Sequence, residues 1–184
     1  MNYNLHPIFV HFPIAFFLLY SLLRLFPWSK KLPTVDWHLP RIVLLIVGLL
    51  GAWLANVTGE IASDLVRPDH ALVEMHEGFA GASVNLYVVL LILELIIFIP
   101  PQWINSKAGR SFQSFFYHTV NYRYQKELSL LPKIQKLLSY PWLFRLLALV
   151  GAVLIAITGL LGGVMVYGVS ADPLAAPMLK LLGL

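Results

Sequence analysis

Four stretches of this chain run almost free of charge for the length of a bilayer crossing, and the polar residues collect at their ends. They extend from about Pro7 to Pro27, Leu39 to Ser63, His76 to Ile99 and Trp142 to Val169. A helix needs about 20 mostly apolar residues to span the hydrocarbon core, and each stretch meets that length. The pattern predicts an all-α fold, an integral membrane four-helix bundle, in a single domain over residues 1–184. Short polar turns separate the spans: Trp28 to Pro33, and Arg67-Pro68-Asp69-His70. Pro100-Pro101 stops the third span. Pro7 suits the first turn of a helix, whereas Pro13 lies deeper and is expected to disturb the first span.

Between the third and fourth spans, residues 101–140 read differently. Phe112, Phe115, Phe116, Tyr117, Tyr122 and Tyr124 interleave with Lys107, Arg110, Arg123, Lys126, Lys133 and Lys136. Aromatics among cations fit an amphipathic, interfacial helix before the fourth span, resting on anionic lipid. A solvated connector with buried aromatics fits equally. The tail after residue 169 reads as a short surface helix.

Composition sharpens this. Hydrophobic residues make up 59% and charged residues 12%, against about 25% charged in a soluble domain. The absence of cysteine excludes disulfides, thiolate metal sites, iron–sulfur clusters and covalently attached c-type haem. The N-terminal apolar run lacks a basic leader and a cleavage site, so it is expected to be retained. A net charge of +4 here encodes orientation, not binding to nucleic acid. Of 13 Lys and Arg, 11 fall in the turn after the first span, the loop after the third and their flanks; only Arg67 and Lys180 lie on the other face. The positive-inside rule then predicts a multi-pass protein of a bacterial inner membrane with both termini extracytoplasmic.

A repeat is visible in the small residues. Gly51 to Gly59, GAWLANVTG, matches Gly151 to Gly159, GAVLIAITG. The first and third spans align more weakly, with His11 over His76. Together they suggest two helical hairpins related by a pseudo-two-fold axis along the membrane normal.

That arrangement bears on the candidate chemistry. His6, His11, His70 and His76 all fall on the extracytoplasmic face, with Glu60, Asp64, Asp69, Glu74 and Glu77. If the axis relates His11 to His76, the two could face each other as axial ligands of a b-type haem, which takes two neutral imidazoles. His6 and His70 would support them or form a second site, and Arg67 would meet the propionates. A second reading joins Glu60 and Asp64, one turn apart on a helix, with His6, His70 or Glu77 to hold zinc or non-haem iron. In a third, the histidines cap helices and bond loop carbonyls. Glu94, deep in the third span, is a functional candidate by default, or a partner for Arg41 or Arg145. Asn56, Thr58, Asn85 and Thr158 read as inter-helix hydrogen bonders. No nucleophile triad, phosphate loop or H-E-x-x-H run is present, so no hydrolase or NTPase chemistry is expected.

HPIFVHFPIAFFLL at 6–19, TGEIASD at 58–64 and the histidine-opened third span resemble an uncharacterised bacterial membrane family, domain of unknown function 2231. Its pattern is four spans with an H-P-x-x-V-H-F-P opening. The chain departs from it in the aromatic–basic stretch before the fourth span and in TGEIASD, where the family often carries a tryptophan-containing acidic segment. The resemblance covers about residues 6–100 and the fourth span. It implies a four-span fold, a membrane location and respiratory company, but no activity or ligand.

The sequence thus points to a haem b electron-transfer subunit rather than a stand-alone enzyme. Its partners would be a quinone, a periplasmic cytochrome or other membrane subunits. The competing expectations are a non-redox accessory subunit and a carboxylate–histidine module for metal binding or transport.

Overall fold

The structure, a computed structural model, describes residues 5–98, 136 and 140–184. Helix α1 spans His6–Leu25, the single turn α2 Trp28–Lys31, α3 His38–Val66, α4 His70–Phe98 and α5 Pro141–Tyr167. A 3₁₀ turn at Val169–Ala171 leads into α6, Ala175–Leu182. Among the described residues there is no strand. The interfacial helix expected before the fourth span lies outside the described residues.

Local chemistry sets the ends of these helices. Pro7 sits in the first turn of α1, where its missing N–H costs no bond. Pro13 is absorbed inside a helix that continues to Leu25. It is buried where α1 meets α3: a Cβ on Gly51 would lie 2.7 Å from Phe12 Cβ and 3.0 Å from Pro13 Cδ. Helix α3 ends as Arg67 turns left-handed (φ 48°) and its N–H bonds the Ser63 carbonyl at 2.9 Å. Asp69 Oδ1 accepts from the Ala71 N–H at 2.8 Å, closing the turn into α4. Gly168, at φ 80°, ends α5 in a conformation that favours glycine.

Helices α1, α3, α4 and α5 are each long and apolar enough to cross a membrane. At 1.5 Å per residue, the 29 residues of α3 and of α4 reach about 43 Å, beyond a hydrocarbon core of about 30 Å. The four pack as a square: α1 lies between α3 and α5, α4 likewise, and α1 and α4 are diagonal. Their outer faces present Leu50, Trp53, Ile61, Ile92 and Val153. Such an apolar exterior suits lipid, and helices satisfy their backbone groups internally as the bilayer requires. The protein is a multi-pass helical membrane protein.

The interior is unequal along its length. Phe17, Tyr20, Leu45, Tyr87, Leu90 and Phe144 are buried in one cluster towards the α1–α3 turn, hereafter the loop face. Phe17 stacks on Tyr87 with ring centroids 3.9 Å apart, and Tyr20 meets Tyr87 edge-on. Towards the opposite end, the histidine face, the buried positions of α1, α3 and α4 are Pro13, Ala55, Ala62 and Ser83. There α6 folds back, burying Ala175 and Leu179 against Leu161 and Val164 of α5.

Candidate functional site: a matched pair of histidines

The repeat is present in the contacts, in a register that differs from the sequence alignment. His6, the first residue of α1, shares a hydrogen bond between Nδ1 and Thr58 Oγ1 at 3.1 Å and lies beside the Ala55 carbonyl of α3. His76 of α4 donates from Nδ1 to the Thr158 carbonyl of α5 at 3.0 Å. A Cβ on Gly59 would lie 3.5 Å from His6 Cε1, and one on Gly162 would lie 3.3 Å from His76 Cε1. Helical side chains lean towards the N-terminus, so the side chain at i+4 shields the carbonyl of residue i. Gly59 follows Ala55 by four and Gly162 follows Thr158 by four; each glycine bares the carbonyl beside its imidazole.

Deeper contacts keep that register. A Cβ on Gly48 would meet Phe17 Cε1 at 2.5 Å, and one on Gly151 would meet the Tyr87 ring at 2.9 Å. Arg24 of α1 pairs with Glu94 of α4. Thus His6, Phe17 and Arg24 correspond to His76, Tyr87 and Glu94, and Gly48 and Gly59 to Gly151 and Gly162. The expected alignment of His11 over His76 is displaced by five residues. That of the glycine stripes is displaced by three, about one helical turn. Small-residue stripes repeat at helical spacing, so a one-turn slip costs little in sequence similarity.

His6 and His76 are both partly buried, and each imidazole lies within electrostatic reach of the other. The Thr158 carbonyl can only accept, which fixes the His76 proton on Nδ1 in the neutral ring. The Thr58 hydroxyl lies within hydrogen-bond distance of the Leu54 and Ala55 carbonyls, at 2.9 and 3.1 Å, as well as of His6 Nδ1. The neutral His76 ring therefore carries its lone pair on Nε2. A ligating histidine is oriented in the same way, by an Nδ1–H bond to a carbonyl or another acceptor.

The other candidates lie elsewhere. His11 is exposed, with Nδ1 turned back on the Pro7 carbonyl of its own helix. His70, Glu60, Asp64, Glu77 and Arg67 are exposed. Among the described residues, no three histidine or acidic side chains come close enough to hold a metal ion. The proposed zinc or non-haem iron ligands Glu60, Asp64, His6, His70 and Glu77 are therefore not assembled, because the carboxylates point outward from α3 and α4.

At the loop face, sequence reasoning missed the main partner of Glu94. That residue is fully buried. Its Oε1 accepts from Arg24 Nε at 2.6 Å and from the Tyr20 hydroxyl at 3.1 Å. The Arg24 guanidinium also lies 3.9 Å above the Phe144 ring. Arg41 is buried nearby on α3, while Arg145 is exposed. The signal for Arg24 was present as opposite charges one repeat apart, legible only in the correct register.

A family model described as "Predicted membrane protein (DUF2231)" matches residues 2–172. No curated protein and no solved structure matches the chain.

Proposed function

The chain belongs to the DUF2231 family of predicted membrane proteins, and from that premise we propose that it is a b-type haem electron-transfer subunit with His6 and His76 as the axial ligands. The observation that carries this reading is the matched pair of imidazoles, each tied through Nδ1 to the helix beside it. The donor chemistry fits the group, since hexacoordinate haem iron takes two neutral imidazoles from opposite sides. Glycine stands beside each ring, and small residues line that half of the bundle, which supports the reading. When bound, haem b supplies a one-electron ferric–ferrous couple, exchanging with a quinone or a periplasmic cytochrome. Thr58 and the Thr158 carbonyl set the ring orientations; Gly59 and Gly162 let the rings lie against the helices. The excess of basic residues on the loop face supports assigning that face to the cytoplasm and the histidine face to the outside.

The test is a dithionite-minus-air difference spectrum of the purified protein, with iron analysis. The expected result is a reduced b-type spectrum, lost in His6→Ala and in His76→Ala and kept in His11→Ala. An intact but colourless, iron-free preparation from haem-sufficient cells would overturn the proposal. So would a spectrum surviving both substitutions. The two imidazoles would then be inter-helix ties in an accessory subunit, a reading that the bonds to Thr58 and Thr158 also support.

A further inference from the structure

At the loop face, we infer that Arg41, with Arg24 and His38 beside it, forms a binding site for the headgroup phosphate of an anionic phospholipid. The inference is independent of the haem proposal. Arg41 is only 9% exposed, and its Nε is buried with no hydrogen-bond partner among the described residues. It lies within electrostatic reach of Arg24, a like charge, and of Glu94. The Glu94 Oε1 is taken by Arg24 and Tyr20, while its Oε2 faces His38 Nδ1 at 3.8 Å, beyond hydrogen-bond reach. Asp36 also lies within reach of Arg41. It is exposed, and its Oδ1 accepts from the His38 N–H at 2.9 Å. Two permanent guanidinium charges and an imidazole therefore surround a single buried carboxylate. A guanidinium so placed calls for an anion, and its planar fork matches phosphate oxygens.

The surroundings say which anion. Lys30 and Lys31 of α2 are exposed on the same turn. The rings of Phe26, Trp28 and Trp37 pack in sequence, with centroids 6.1 and 6.2 Å apart. Tryptophans gather at the headgroup level of a bilayer, and basic pockets between spanning helices take anionic headgroups. His38, half-exposed at the start of α3, leaves an approach from that level.

The experiment measures thermal unfolding of the detergent-purified full chain with added phosphatidylglycerol, phosphatidylcholine or inorganic phosphate, alongside native mass spectrometry. Phosphatidylglycerol alone is expected to raise the unfolding midpoint and to remain bound in the mass spectrum. That gain should vanish in Arg41→Gln and shrink in Arg41→Lys, which keeps the charge but not the fork, while Arg145→Gln keeps it. If Arg41→Gln fails to fold, the wild-type lipid series and Arg41→Lys decide. Equal gains from phosphatidylcholine, or from inorganic phosphate alone, would overturn the lipid assignment. An undiminished gain in the Arg41 variants would overturn the site.

Discussion

At the loop face the diagonal helices α1 and α4 meet ring on ring, Phe17 against Tyr87, and close with a carboxylate buried under a guanidinium. At the histidine face the same two helices carry identical imidazoles, each resting beside a bare glycine of its neighbour. Both ends are built from equivalent positions of one repeat. At the first, the repeat has diverged into complementary partners, Arg24 and Glu94, which pair with each other. At the second it has stayed symmetric, and each imidazole is tied to a different neighbouring helix. A diverged pair is what inter-hairpin stability needs, whereas a conserved symmetric pair suits a symmetric ligand between the hairpins.

The largest expected difference between the ends is in stability. Glu94→Ala leaves the Arg24 guanidinium without its carboxylate and should cost about 3–5 kcal/mol, the penalty for breaking a buried pair. Joint Arg24→Leu and Glu94→Leu should recover much of that loss, because two apolar side chains replace the pair. Unfolding in detergent measures both, and equal destabilisation in the single and double variants would break the comparison. Next comes packing. Gly48→Ala puts a Cβ 2.5 Å from Phe17 Cε1, and overpacking of this kind costs about 1–3 kcal/mol. Gly78→Ala, inside α4 with nothing within 4 Å of its Cβ, should instead raise the unfolding midpoint slightly, since Ala favours a helix interior over Gly by about 0.5–1 kcal/mol.

At the histidine face smaller stability effects and larger spectroscopic ones are expected. His76→Ala removes one bond to the Thr158 carbonyl, about 0.5–1.5 kcal/mol, yet should abolish the b-type spectrum. Gly162→Ala, whose Cβ would sit 3.3 Å from His76 Cε1, should shift that spectrum while the protein stays folded. His11→Ala should change neither readout, since its ring is exposed and bonded within its own turn.

The number of spans, their approximate bounds and the bundle were legible in the sequence. Helix length and hydropathy are local properties that the bilayer imposes on each segment alone. So was the existence of a repeat, through its glycines and alanines. Its register was not, because apolar helices tolerate a one-turn slip with similar residues, and only the pairing of Phe17 with Tyr87 and of Arg24 with Glu94 distinguishes the alternatives. The same ambiguity hid the histidine pair. Sequence placed four histidines on one face, but which imidazole faces inward depends on helix rotation. That rotation is set by where Gly48, Gly51, Gly59, Gly151 and Gly162 let a neighbour approach. The sequence by itself determined a four-helix membrane protein with its polar chemistry at the ends. Only tertiary packing decided that His6 rather than His11 bonds the neighbouring helix as His76 does, and that Arg24 meets Glu94, because side chains more than fifty residues apart meet only once the helices have rotated into contact.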